Sequence, residues 1–351
     1  MPLLAAGLAV TGCTPSGFIA RQLIRAPSSF PRAVAPEPRV YYTFPEEFLT
    51  EVPPQVATVG TPPVSLAYRV VPPAAYALQM VRTRHPSASG TRPFFRFTAE
   101  IPGAPTPFTD RPRGTVVLLH GYALDQDSMV PWALLLADAG WRCVLVDLRG
   151  HGASGGDRIH FGLQESRDLT ALMDELVRRR EAGWPAAVVG VSYGAAVALR
   201  WATEDSRVHP VVAITPYARL GDAVEGLRSE YADWVPAGLL GRAVASVPAL
   251  LGAGPGDLDP VTWLHAGTTK ALWVAAEDDV VAPPGAVQEL QAASAPESRY
   301  LELHGVTHEL APFQVEELQG PLRDWLDAEE AGEALNRTGH QNQGPSTADG
   351  R

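Results

Sequence analysis

Six short strand-like runs, most of them continuously apolar, alternate with helix-like stretches through the second two thirds of the chain. Continuous apolar runs of this length are typical of strands buried on both faces. Strands that alternate with helices predict a mainly parallel sheet with helices on both faces, an α/β domain. The predicted strands lie at residues 115–119, 143–146, 186–191, 208–214, 271–276 and 298–303.

The most specific motif is Gly190-Val191-Ser192-Tyr193-Gly194, at the junction between the predicted strand 186–191 and a predicted helix. G-x-S-x-G in this context predicts a nucleophile elbow, in which the serine lies on a sharp turn and the glycines keep Cβ atoms out of crowded backbone. The start of the following helix would stabilise negative charge at the serine. The alternative is an ordinary tight turn with a capping serine.

Two further motifs accompany the elbow. His120-Gly121-Tyr122 ends the strand 115–119, and residues 147–156 read DLRGHGASGG, a D-x-R-G-H-G-x-S-x-G turn. With these motifs the chain resembles the α/β-hydrolase family over about residues 65–328. The turn at residues 147–156 resembles the one typical of the branch that contains monoacylglycerol lipases and serine aminopeptidases. The resemblance implies an α/β-hydrolase fold with a helical cap insertion, and catalytic residues in the order serine, acid, histidine.

A serine hydroxyl needs a base to take its proton. Among nine histidines, His308 stands in the loop between the last predicted strand and the last helix, the family's position for the base, and His304 at the strand end is the alternative. The imidazole needs an acid to orient it. Aligning Pro283 with the family's G-x-x-D-x-v-x-P pattern puts that acid at Asp279, and Asp278 stays open.

An oxyanion hole should use two backbone N–H groups, because fixed donors need no reorganisation. One is predicted at Tyr193, directly after the serine, and the other at Tyr122. Residues 216–268 contain no buried strand run and predict a cap over the carboxyl ends of the strands. The aromatic cap residues proposed to contact substrate are Tyr217, Tyr231 and Trp234.

The N-terminal residues predict a secretory signal. Residues 1–12 are apolar or small, and Val10-Thr11-Gly12-Cys13 resembles the lipobox of bacterial lipoproteins, which implies cleavage before Cys13 and lipidation of its thiol. Lys or Arg usually precedes such a stretch and none does here. The expected location is the bacterial cell envelope, held to the membrane by lipid and facing outside the cytoplasm. An N-terminus that is not a signal would leave the protein in the cytoplasm.

The domain organisation follows from these assignments and from the density of proline. Residues 13–64 contain many prolines and predict an extended spacer between the anchor and the folded body. Residues 65–330 would form the hydrolase domain, and residues 331–351, with little to bury, a disordered tail.

Composition narrows the function. With 28 basic and 39 acidic residues the net charge is −11, which disfavours nucleic acid as a partner, and two cysteines exclude a disulfide framework or a multi-cysteine zinc site. No metal or organic cofactor is implied. The prediction is a serine esterase or lipase acting on a small acyl ester or lipid-like substrate. The alternatives are an aminopeptidase-type peptidase, an acyltransferase, or a non-catalytic binding lipoprotein.

Overall fold

The structure is a computed structural model that describes residues 14–30, 40–43, 46–76, 78–85, 94–101, 105–108, 111–264 and 269–341. Cys13 and the predicted signal before it lie outside the described residues. The strands in chain order are β1 (Val40–Thr43), β2 (Gln55–Val59), β3 (Val64–Val71), β4 (Ala74–Ala75), β5 (Gln79–His85), β6 (Phe94–Glu100), β7 (Thr106–Pro107), β8 (Thr115–Leu119), β9 (Arg142–Val146), β10 (Ala186–Val191), β11 (Val208–Ile214), β12 (Ala271–Ala276) and β13 (Arg299–Leu303). The helices are α1 (Pro15–Leu23), α2 (Glu46–Glu51), α3 (Val130–Asp138), α4 (Glu165–Arg179), α5 (Tyr193–Glu204), α6 (Leu220–Tyr231), α7 (Ala237–Leu250), α8 (Pro260–Trp263), α9 (Pro284–Ala293) and α10 (Val315–Gln341).

A central sheet of eight strands organises the molecule, in the order β13-β12-β11-β10-β8-β9-β3-β2. The six strands from β8 to β13 are mutually parallel, and β3 and β2 complete one edge in antiparallel orientation. The predicted α/β class is confirmed. Because parallel strands end at the same edge, the loops after β8, β10, β12 and β13 converge there.

Side chains alternate between two cores, one on each face of the sheet. In β8, Val117 and Leu119 belong to the core covered by α4, α5 and α9, whereas Val116 and Leu118 belong to the core covered by α3 and α10. This period of two explains why the strand sequences read as unbroken apolar runs, since both faces are buried.

The predicted spacer is wrong for the described part of residues 13–64. Helix α1 lies within it, and β2 pairs with β3 in the central sheet. The prolines lie at or near the ends of these elements and do not make the segment an extended spacer. Pro15 occupies the first turn of α1, where its missing N–H costs nothing, and the Thr14 hydroxyl accepts a hydrogen bond from the Gly17 N–H at 3.1 Å.

The predicted tail also differs, because α10 continues through Gln341. The first part of residues 331–351 contains good helix formers and no proline, so the helix can continue. The predicted cap, residues 216–268, contains α6, α7 and α8 and no strand among its described residues. No helix in the described ranges has the length and apolar character needed to cross a bilayer.

Candidate active site

Ser192 lies on a strained turn between β10 and α5. Its backbone has φ +51° and ψ −112°, and its N–H donates a hydrogen bond to the Ile214 carbonyl at 2.8 Å. An added Cβ at Gly190 would lie 2.6 Å from the Gly194 carbonyl carbon, and one at Gly194 would lie 2.7 Å from the Leu119 carbonyl carbon. The turn therefore requires both glycines, and it holds the serine in a conformation that side chains rarely adopt.

Three side chains from three loops form a hydrogen-bonded chain at the carboxyl edge of the sheet. Nε2 of His308 lies 2.8 Å from Oγ of Ser192, and Nδ1 lies 2.7 Å from Oδ2 of Asp279. An ionised carboxylate only accepts, so this geometry assigns the imidazole proton to Nδ1. Nε2 is then free to accept from the Ser192 hydroxyl, which is the arrangement that a general base requires.

The environment of Asp279 distinguishes it from Asp278. Oδ1 of Asp279 accepts hydrogen bonds from the backbone N–H groups of Val281 at 2.8 Å and Ala282 at 2.7 Å, and its side chain is fully buried. Asp278 is exposed. The alternative base, His304, has a side chain that is 79% exposed and pairs with a surface carboxylate. The structure thus brings Asp279 to Ser192 and leaves Asp278 and His304 at the surface.

Comparisons with known proteins agree with this architecture. Over 83% of this chain and 96% of its own length, the esterase Pf2001 of Pyrococcus furiosus superimposes with a TM-score of 0.57 at 19% identity. A hydrolase of Pseudomonas aeruginosa PA01 does so over 78% of this chain and 98% of its own, with a TM-score of 0.52 at 20% identity. The fold is that of the α/β-hydrolases.

Sequence matches are shorter than the structural ones. Residues 110–262 match the family described as serine aminopeptidase, S33. A monoacylglycerol lipase of Mycolicibacterium smegmatis is 43% identical over 70 residues, which cover 20% of this chain and 23% of the lipase. The uncharacterized protein YqkD of Bacillus subtilis is 30% identical over 88 residues, 25% of this chain and 29% of YqkD. The matched stretches thus span less than a third of either curated relative.

The two residues predicted to supply the oxyanion donors of this hydrolase fold lie side by side. The rings of Tyr122 and Tyr193 meet edge-on with centroids 6.3 Å apart, and a Cβ added at Gly121 would lie 3.8 Å from Cβ of Ser192. Tyr193 is the first residue of α5, so its N–H has no acceptor within the helix. Both backbone segments therefore border the serine. The phenol hydroxyls of these residues are not expected to donate to the oxyanion.

His120 holds the loop that carries Tyr122 through hydrogen bonds to backbone groups. Its Nε2 accepts from the Leu148 N–H at 3.0 Å, so Nδ1 carries the proton and donates to the Gly121 carbonyl at 2.8 Å. Burial lowers the pKa of this fully enclosed imidazole, which keeps it neutral. The available signal was a His-Gly pair directly after a buried strand.

Buried polar residues contact the side chain of Tyr193. The Tyr193 hydroxyl donates to the Glu165 carboxylate at 2.9 Å, and Glu165 also accepts from the backbone N–H groups of His160 at 2.7 Å and Gly162 at 2.9 Å. Burial beside Glu165 raises the pKa of Tyr193. The His151 ring lies against Tyr193 with centroids 5.4 Å apart. No local sequence signal connects Glu165 to the serine.

The three aromatic cap residues occupy different environments. Tyr217 is buried, and its hydroxyl has no hydrogen-bond partner among the described residues. Tyr231 is partly exposed and donates to the carboxylate of Glu309, next to the base. Trp234 is 72% exposed between α6 and α7, so it does not line an enclosed cleft. In the described part of the chain, no three His, Cys, Asp or Glu side chains form a cluster that could hold a metal ion.

Proposed function

We propose that this protein is a serine hydrolase that cleaves carboxylic esters through an acyl-enzyme. The observation that carries the proposal is the hydrogen-bonded chain from Ser192 through His308 to Asp279, at 2.8 and 2.7 Å, on a strained elbow. A non-catalytic scaffold has no use for a serine turn with φ +51° aligned on an imidazole that is hydrogen-bonded to a buried carboxylate. The similarity to an esterase and a monoacylglycerol lipase supports ester substrates.

The proposed reaction begins when Oγ of Ser192 attacks the ester carbonyl carbon while its proton moves to Nε2 of His308. The carbonyl π electrons move onto oxygen, and the N–H groups of Tyr122 and Tyr193 stabilise the oxyanion. One such donor typically contributes about 10²- to 10³-fold in kcat. The bond to the alcohol oxygen then breaks and His308 protonates the leaving alkoxide. Water, deprotonated by the same imidazole, then attacks the acyl carbon; the bond to Oγ of Ser192 breaks, His308 returns the proton to Oγ, and the carboxylic acid is released. Asp279 orients the imidazole throughout.

Of the three aromatic cap residues, Tyr217 is the most buried. Its hydroxyl lacks a partner among the described residues, and an unsatisfied buried hydroxyl costs about 1–3 kcal/mol. Because this hydroxyl is closed off from solvent, Tyr217→Phe should raise the free energy of unfolding by about that amount and leave kcat and KM unchanged.

A fluorophosphonate probe and a series of p-nitrophenyl esters test the proposed nucleophile. The wild-type protein should be labelled and should turn over the esters, and Ser192→Ala should lose labelling and about 10³-fold or more of kcat. Ser206→Ala is the matched control, since Ser206 is exposed in the loop before β11, at the opposite edge of the sheet. Equal labelling of Ser192→Ala would disprove the assignment.

A peptidase of the aminopeptidase type is the second candidate, because residues 110–262 match the family of that description. The same serine, histidine and aspartate would serve both reactions. Aminoacyl p-nitroanilides distinguish the two activities. Faster turnover of the anilides than of p-nitrophenyl butyrate would replace the esterase proposal with the peptidase.

A further inference from the structure

Helix α6 of the cap touches the loop that carries Asp279, backbone against backbone. Gly226 is buried at this contact. A Cβ added there would lie 2.7 Å from Cα of Val281 and 2.9 Å from the carbonyl carbon of Val280, and closer still to the Val280 oxygen. Carbon atoms separated by less than about 3.5 Å repel. Only glycine at this position lets the helix lie so close to the loop.

The same stretch of backbone holds the carboxylate of Asp279. The N–H groups of Val281 and Ala282 donate to Oδ1 at 2.8 and 2.7 Å, which leaves Oδ2 directed at Nδ1 of His308 at 2.7 Å. A displacement of Val280 and Val281 would therefore move the donors that fix the carboxylate. The distance between α6 and this loop thus controls the carboxylate–imidazole hydrogen bond.

A second contact connects α6 to the loop of the base. The hydroxyl of Tyr231, at the end of the helix, donates to the carboxylate of Glu309, the residue that follows His308. At the other end of the helix, Arg219 pairs with Glu289 on α9, the helix after the acid loop. One cap helix is thus attached to both loops that complete the catalytic chain.

We propose that α6 is a fixed support of the catalytic centre and that Gly226 is a positioning residue for Asp279. The proposal rests on the serine hydrolase function proposed above. It differs from the usual view of a cap as a substrate wall or a lid that swings free, because movement of α6 would disturb the acid and the base together.

Two glycines on the same helix provide a matched test. Gly221→Ala adds a methyl group into open space, so it should leave kcat and KM unchanged and should slightly raise the melting temperature. Gly226→Ala requires the loop to retreat by about 1 Å, and a displacement of this size can cost about 10²-fold in rate. We expect kcat to fall 10- to 100-fold while KM changes less than about threefold.

Proton NMR provides a readout that does not depend on activity. The Nδ1 proton of an imidazole hydrogen-bonded to a carboxylate resonates far downfield, and this signal should persist in Gly221→Ala and be lost or shifted in Gly226→Ala. An inactive wild-type protein that gives the signal would refute the ester hydrolase function and still test the positioning. An unchanged signal together with unchanged kcat in Gly226→Ala would overturn the positioning role.

Tyr231→Phe extends the test if Gly226→Ala fails to fold. It removes only the hydroxyl that donates to Glu309. We expect a two- to fivefold lower kcat with an unchanged KM and an unchanged melting temperature. An unchanged kcat in this variant would refute the proposal that α6 supports the base loop.

Discussion

His151 should make the protein lose stability in mild acid. Its Nδ1 donates to the Arg149 carbonyl at 3.0 Å, so Nε2 is the nitrogen that carries no proton. Nε2 is buried and has no hydrogen-bond partner among the described residues. The rings of His120, Tyr122 and Tyr193 surround it. A proton on Nε2 would place an uncompensated charge among these rings, so burial lowers the pKa of His151 to about 3.

The size of the effect follows from the linkage between protonation and folding. The ordinary histidine pKa is 6.5, and the folded value is about 3. Between these values the unfolded chain binds more protons than the folded protein, so the free energy of unfolding falls as the pH is lowered. From pH 7.5 to pH 5 the loss is about 2 kcal/mol for this one residue, with a limiting slope of about 1.4 kcal/mol per pH unit.

Urea unfolding of the wild type and of His151→Asn at pH 7.5, 6.5, 5.5 and 5 measures this loss. The asparagine amide can keep the bond to the Arg149 carbonyl and does not titrate. At pH 7.5 the variant should be less stable by about 1–3 kcal/mol, because it loses the packed ring. Its further loss on acidification should be smaller than that of the wild type by about 2 kcal/mol. Equal losses, within about 0.5 kcal/mol, would refute the assignment of a neutral, enclosed imidazole.

Three shorter predictions address the triad acid, the cap and the N-terminus. Asp279→Asn should lower kcat on the order of 10⁴-fold, the size known for this change in a serine protease triad, whereas Asp278→Asn should change it less than threefold; a larger loss in Asp278→Asn would reassign the acid. Trp234→Ala should leave the ranking of p-nitrophenyl esters by acyl length unchanged, because this side chain is 72% exposed, and a changed ranking would show that Trp234 contacts the acyl chain. Cys13→Ser should release the protein from the membrane fraction or leave an unprocessed precursor, and mass spectrometry that finds an unmodified Met1 or Pro2 on soluble wild-type protein would exclude the lipid anchor.

The sequence predicted the parallel strands well because each is buried on both faces. The predicted bounds of β8, β10, β11 and β12 match the observed ones, since apolar runs that end at polar residues or glycine define such strands locally. The strands before residue 64 were missed because prolines surround them. Proline density indicated an extended spacer, yet the prolines at 53, 54, 62 and 63 flank β2 and leave its hydrogen bonds to β3 intact.

Some features of the candidate site could likewise be predicted from local sequence, whereas others depend on contacts between distant parts of the chain. The proximity of Ser192 and His308 could be predicted because each follows a strand at a recognisable turn. The loop pattern that ends at Pro283 favoured Asp279 and left Asp278 open, because the distinction depends on where the N–H groups of Val281 and Ala282 point. The contact of Gly226 with that loop joins residues far apart in the chain, so no spacing rule could reveal it.

Helix α1 packs against the folded domain, so its removal should lower the free energy of unfolding, whereas removal of an extended spacer would not. Ala20, Ile24 and Ala26 are almost fully buried, and the N–H of Ile159 donates to the Ile24 carbonyl at 2.9 Å, beside the turn that contains His151. Burial of one isoleucine and two alanines contributes on the order of 3 kcal/mol. Deletion of residues 1–30 should lower the free energy of unfolding by about that amount. Deletion of residues 1–13, which keeps the whole helix, should leave it unchanged within about 0.5 kcal/mol. Urea unfolding of both truncations measures this difference. Equal free energies of unfolding would mean that the helix does not stabilise the fold and that the segment is the spacer predicted from its prolines.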